Sequence, residues 1–180
     1  MLLCKILKKL SDMNIFLVGM MGAGKSSVGS LLASELKYEF VDLDKSIERQ
    51  LGKSTNAIFK IYGESYFREM EQKKLFEHKN TDKKVVSTGG GVILNQENKE
   101  FLSQENTYFL DASATILWER ASRKKYNRPL LEGLTFSAFE ELYNIRRSLY
   151  SSCSKTLVNT ENKSIALIVK EIKNYANNNY

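Results

Sequence analysis

The sequence predicts an α/β fold, with a five-stranded parallel sheet flanked by helices. Three observations carry this expectation. Five short strand-like runs alternate with segments of helical periodicity, the pattern of a sheet assembled from crossover units. The first of these runs ends in a Gly-rich turn that opens directly into a helix. The 180 residues, 42% hydrophobic and 27% charged, contain no internal repeat, no Gly/Ser- or Pro-rich linker and no shift in composition, so they fit one domain with a sizeable core.

The elements follow in order. Residues 1–13 set Leu2, Leu3, Ile6, Leu7 and Leu10 among lysines, a short amphipathic pattern without the continuous apolar stretch and cleavage site of an export signal. They are expected to be a dispensable N-terminal extension, with Met13 as an alternative start, and the single domain is expected over 14–180. Asn14–Val18 is a buried strand, and Ser26–Leu36 a helix with Val28, Leu31, Leu32 and Leu36 on one face. Glu39–Leu43 is the second strand. Helices over Asp44–Leu51, Ser54–Tyr62 and Glu64–His78 are separated by Gly52 and Gly63. Lys84–Thr88 is a strand stopped by Gly89-Gly90-Gly91. A helix over Asn95–Ser103, a strand over Thr107–Leu110 and a helix over Ala112–Lys124 come next, and Arg128-Pro129 breaks the pattern. A long helix over Thr135–Ser152, a strand over Thr156–Asn159 and a helix over Ser164–Tyr175 close it. In such a sheet ligands collect at the carboxyl ends of the strands.

Composition excludes several functions. No apolar run approaches the ~18 residues of a membrane span. Cys4 and Cys153 cannot build a disulfide framework, and with His78 as the single histidine a structural zinc site and a His-dependent triad are both disfavoured. His78 itself, in a Lys/Glu-rich helical stretch, is expected to be exposed. The net charge of +6 is local: residues 1–13 contribute +2, and Arg120, Arg123, Lys124, Lys125 and Arg128 against Glu119 contribute +4, while 19 bases and 19 acids elsewhere cancel. A nucleic-acid binder would spread its charge over a face. Neither nucleic acid nor a membrane is expected as a partner, and the missing export signal leads to the expectation of a cytoplasmic chain.

Gly19-Met20-Met21-Gly22-Ala23-Gly24-Lys25-Ser26 matches G-x-x-x-x-G-K-[ST] between a strand and a helix. Glycines let the backbone curl so that successive N–H groups point at phosphate oxygens, and the helix N-terminus adds its positive dipole end. Lys25 is the residue to reach the β- and γ-phosphates and Ser26 the one to ligate Mg²⁺. The motif specifies a nucleoside triphosphate and leaves open what happens to its phosphate.

Asp42 and Asp44 close the second strand. As strand residues they would point the same way, one toward Mg²⁺ and the other toward an acceptor hydroxyl; the competing reading makes Asp44 the cap of the following helix. The chain has 20 Lys and only 7 Arg, and Arg68, Arg120, Arg123, Arg128, Arg146 and Arg147 make up six of the seven. Such selective use suggests places that need a flat fork for carboxylate or phosphate, although Arg68 alone would more simply pair with Glu64 or Glu71 at helical spacing. Gly89-Gly90-Gly91 after a buried strand permits close approach of backbone to a ligand. No Asp ends that strand, and no Asn-Lys-x-Asp occurs, which argues against motor ATPases and GTPases.

Together these motifs resemble shikimate kinase. Gly19–Ser26, Asp42-x-Asp44, Gly63-Glu64-x-x-Phe67-Arg68-x-x-Glu71, Gly89-Gly90-Gly91, Arg128-Pro129-Leu130-Leu131 and Arg146-x-x-Leu149-Tyr150 occur in order across 14–164. The resemblance implies a P-loop fold of the nucleoside monophosphate kinase type, in three layers, with a substrate-binding helical region at about 44–79 and a lid at about 122–132. It implies transfer of the ATP γ-phosphoryl to the 3-hydroxyl of shikimate by a monomer. Residues Gly22, Ala23, Gly24, Lys25, Ser26 and Ser27 would wrap the ATP phosphates, and Ser26 and Asp42 would hold Mg²⁺. Asp44 would take the proton of the attacking hydroxyl. Arg68, Arg146 and the Gly90 N–H would bind the shikimate carboxylate, with Glu71 orienting Arg68. Arg128 would close from the lid, and Lys163 would lie on the adenine side. The extension, the short Lys-rich lid and Ser148 depart from the family's pattern, and the lid's departure leaves Arg120 and Arg123 without assigned roles. A gluconate-type kinase of the same fold and a non-catalytic ATP- and shikimate-binding sensor are the alternatives.

Overall fold

A computed structural model describes residues 13–123 and 133–178. Its centre is a five-stranded sheet, all neighbours parallel, in the order β2-β3-β1-β4-β5. The strands are β1 (Ile15–Val18), β2 (Glu39–Asp42), β3 (Lys84–Ser87), β4 (Asn106–Asp111) and β5 (Thr156–Asn159). The three middle strands are buried almost throughout, as expected of strands covered on both faces. Among the described residues seven α-helices accompany them: α1 (Lys25–Leu36), α2 (Leu43–Leu51), α3 (Thr55–Phe76), α4 (Gln96–Gln104), α5 (Ala114–Ser122), α6 (Phe136–Ser152) and α7 (Ile165–Asn178). No helix among the described residues is long and apolar enough to cross a membrane.

Local chemistry explains the helix starts. Ser54, Asn95 and Thr135 accept hydrogen bonds from the N–H groups of Ala57, Asn98 and Ala138, each satisfying a first-turn donor. Gly52, at φ 61°, ends α2. Gly63, at φ 83° and ψ 169°, breaks the path of α3, so the two expected helices are present on either side of it.

The main core gathers β1, β3 and β4 with α1, α5, α6 and α7 around Phe16, Leu17, Phe109 and Tyr150. A second cluster, Ile47, Ile58, Phe67 and Met70, joins α2 to α3. The region 44–79 thus has its own small apolar centre beside the carboxyl end of the sheet.

Two expectations need correction. The second strand ends one residue early: Asp42 is its last residue and Leu43 already opens α2. Asp42, not Asp44, caps that helix, with Oδ1 accepting from the Lys45 N–H at 3.2 Å. Asp44 sits in the first helical turn, and the two carboxylates do not share a strand face. His78 lies beyond the end of α3 and is buried, at 8% exposure. Asn14 Nδ2 holds its carbonyl at 3.0 Å, drawing the turn under the first strand. Burial pushes the imidazole's pKa down.

Candidate active site

The loop after β1 curls as its glycines require. Gly22 and Gly24 lie in the left-handed region, at φ 89° and 92°. A Cβ on Gly22 would meet the Leu117 carbonyl oxygen of α5 at 2.2 Å, so no side chain fits there. Gly24 offers no side-chain acceptor to the first turn of α1, which leaves that turn's polarity directed outward. Lys25 Nζ folds back onto the carbonyls of Gly19 at 2.7 Å and Met20 at 3.2 Å.

Ser26 Oγ donates to Asp42 Oδ2 at 2.7 Å. A hydroxyl whose proton is held by a carboxylate turns its lone pairs outward, and the pair is a hard-oxygen donor set of the kind Mg²⁺ takes with its waters. The residues therefore fit the ion. Among the described residues no group of three or more His, Cys, Asp or Glu could hold a metal by itself.

Beyond the loop a cavity of about 550 Å³ runs from Gly24, Lys25 and Ser26 past Asp42 and Asp44 to Arg68 and Arg146. Each glycine of 89–91 has a separate use in its wall. A Cβ on Gly89 would meet Glu71 Oε1 at 2.3 Å and Asp44 Oδ1 at 2.7 Å, and one on Gly91 would meet the Arg68 guanidinium at 2.4 Å. Gly90 has no such neighbour; its nearest is Tyr150 Oη at 3.7 Å. Gly89 and Gly91 thus admit the protein's own charged side chains.

The charges are unevenly satisfied. Asp44 Oδ1, Glu71 Oε1 and Arg146 Nε are buried without a hydrogen-bond partner. Burial, with the neighbouring Asp42 carboxylate, pushes the Asp44 pKa up to about 6. Burial pushes that of Glu71 up to about 7 and outweighs the attraction of Arg68. Arg68 is gripped on two sides, by Glu71 at 2.7 Å and Glu64 at 2.9 Å, and lies over the rings of Phe59 and Phe67. Both of the simple ion pairs weighed from spacing exist, and Arg68 still reaches the cavity.

Most of the sequence-derived residues therefore line one cavity: Gly22, Gly24, Lys25, Ser26, Ser27, Asp42, Asp44, Arg68, Gly90 and Arg146. Ala23 is buried beneath the loop. Lys163 is not in the cavity wall; its Nζ pairs with Glu171 at 2.8 Å. Arg128 and residues 124–132 of the expected lid, like residues 1–12, lie outside the described residues. Arg120 and Arg123, left without roles by the sequence, line the cavity. Arg120 is fixed by Thr160, whose hydroxyl and carbonyl accept at 3.0 and 2.9 Å. Selective use of Arg in a Lys-rich chain was the available signal for both.

This geometry has known counterparts. A family model described as shikimate kinase matches residues 21–177. The chain belongs to the shikimate kinase family. It is 39% identical to a shikimate kinase of Rippkaea orientalis, over 93% of this chain and 90% of the relative. It is 41% identical to a bifunctional shikimate kinase/3-dehydroquinate synthase of Thermotoga maritima, of which it spans 32%. Among solved structures, shikimate kinase from Acinetobacter baumannii in complex with shikimate superposes with a TM-score of 0.87 at 35% identity, over 93% of this chain and 94% of the other. The enzyme from Aquifex aeolicus gives 0.81 at 36% identity, covering 93% and 98%. A gluconokinase from Sinorhizobium meliloti, at 18% identity and a TM-score of 0.52, shares the fold alone. The chain is accordingly an ATP-dependent kinase with the P-loop fold of the nucleoside monophosphate kinases.

Proposed function

We propose a division of labour for the family's reaction, transfer of the ATP γ-phosphoryl to the 3-hydroxyl of shikimate, which gives shikimate 3-phosphate and ADP in aromatic amino-acid biosynthesis. The observation that carries it is Arg146: a residue 7% exposed, its Nε without a partner, in the wall of the cavity that holds the phosphate loop. A buried cation left incompletely paired costs free energy unless a ligand anion completes it. Arg68 reaches the same cavity, and two guanidiniums match the acceptor's carboxylate, with the Gly90 N–H beside them.

Residues 22–27 wrap the ATP phosphates, and Lys25 leaves its loop carbonyls for the β- and γ-phosphates. Ser26 and Asp42 would hold Mg²⁺, which would supply charge neutralisation at the phosphates. Asp44 orients the acceptor and takes its hydroxyl proton on the carboxylate. The transition state is loose, so these residues act by alignment and by stabilising charge. The helical region of about 44–79 binds the acceptor, and Arg128 acts on the phosphates. Residues 1–13 are dispensable, and the protein works as a cytoplasmic monomer on small molecules alone.

An ADP-release assay with shikimate, with gluconate and with no acceptor tests the assignment. Turnover with shikimate alone is expected. Turnover with gluconate instead identifies a gluconate-type kinase, and shikimate binding without turnover identifies a sensor.

A further inference from the structure

Tyr150 is fully buried, and its ring stacks on Phe109 with centroids 5.2 Å apart. Its hydroxyl donates to the Gly90 carbonyl, and Arg146 Nη1, one helical turn earlier on α6, approaches the same oxygen at 3.5 Å. The hydroxyl also lies 3.8 Å from Met20 Sδ, in the phosphate loop. Burial pushes the phenol's pKa up, so its proton stays in place to be donated.

The Gly90 carbonyl and the Gly91 N–H belong to one planar trans peptide and point in opposite directions. Fixing the carbonyl toward α6 therefore fixes the whole plane, which carries Gly91 against the Arg68 guanidinium. Within the turn the Gly89 and Gly91 carbonyls accept from the Val92 and Leu94 N–H groups, at 3.4 and 3.0 Å. The Gly90 carbonyl between them is held from outside the turn, by Tyr150 and Arg146 of a single helix.

We propose that Tyr150 is a positioning residue for the acceptor carboxylate: its hydroxyl holds the Gly90–Gly91 peptide and thereby sets the spacing of Arg146 and Arg68. This rests on the acceptor-site reading above. It assigns Tyr150 no contact with the reacting atoms.

The test compares wild type and Tyr150→Phe with two acceptors, shikimate and its analogue in which hydroxymethyl replaces the carboxylate. In wild type the analogue should be the poorer acceptor; equal use of the two overturns the acceptor-site reading itself. Tyr150→Phe keeps the ring stack and loses one hydrogen bond, so KM for shikimate should rise about 3- to 10-fold. The KM for ATP should not change, and the advantage of shikimate over the analogue should shrink by the same factor. An unchanged KM for shikimate, or a parallel rise for ATP, overturns the inference. Phe109→Leu loosens the same packing and leaves the hydroxyl. It should lower the melting temperature without moving the acceptor KM; a matching rise makes the effect one of packing and also overturns the inference.

Discussion

Arg68 Nη1 donates to Glu71 Oε2 at 2.7 Å, and the carboxylate that receives it is fully buried. From the other edge Nε and Nη2 both reach Glu64 Oε1, at 3.2 and 2.9 Å. The guanidinium is thus aimed by two carboxylates before any ligand arrives. A lysine keeps the charge and cannot span both partners while facing the cavity. Arg68→Lys should raise KM for the acceptor at least about tenfold and leave ATP affinity unchanged, measured by steady-state kinetics and by nucleotide titration. An equal loss for both ligands would contradict the role.

Glu71 also predicts how stability follows pH. Its pKa, about 7 in the folded protein, lies above the ordinary 4.5 of the unfolded chain. Between these values the folded state binds more protons than the unfolded state, so stability falls as pH rises. Its contribution is fully present below about 4.5 and lost through about 7. Asp44, raised to about 6, acts with the same sign. Glu71→Gln removes one such loss, on the order of 3 kcal/mol. Melting curves of unliganded protein from pH 4.5 to 8 should show the variant gaining on wild type as pH rises. Parallel curves would refute the buried, proton-holding carboxylate.

The triple glycine gives a graded series. A methyl on Gly89 collides with Glu71 and Asp44, and one on Gly91 with Arg68, each at under 3 Å, whereas one on Gly90 finds its nearest neighbour at 3.7 Å. Gly89→Ala and Gly91→Ala should each lower stability by about 1–3 kcal/mol through overpacking, and Gly90→Ala by much less. Denaturant unfolding of the three variants decides it. Equal effects would mean that the sites differ in nothing but sequence position.

What the sequence made legible was whatever depends on local chemistry. The loop at 19–26 announces itself because only glycine, lysine and a hydroxyl suit a phosphate at a strand-to-helix turn. The five strands and the break at Gly63 follow from periodicity and backbone preference. The one-residue error at Asp42 arose because a buried Leu43 suits either the strand's end or the helix's first turn, and only the capping bond separates them. The burial of His78 is not legible in its Lys/Glu-rich neighbours, and the turn that carries it is tied to Asn14, 64 residues away. The sequence likewise gives no hint that Arg120 is held by Thr160, 40 residues later. Three glycines signalled close approach, and only the fold reveals that Glu71, Asp44 and Arg68 are what approaches.

Asp44 should show activity and stability moving apart. Its Oδ1 is buried without a partner, beside Asp42 and Glu71, so the ionised group is held at a cost to the fold. Asparagine matches its shape and removes the charge. A base that accepts the acceptor's proton contributes roughly 10²–10⁴-fold to rate, and Asp44→Asn should lose turnover in that range. The same substitution should leave the melting temperature at pH 8 equal to wild type or higher, because it deletes an unfavourably placed carboxylate. Coupled ADP release and thermal melts on one preparation give both readings. Near-normal turnover would remove Asp44 from the chemistry, and a fall in turnover accompanied by a fall in melting temperature would make its role structural.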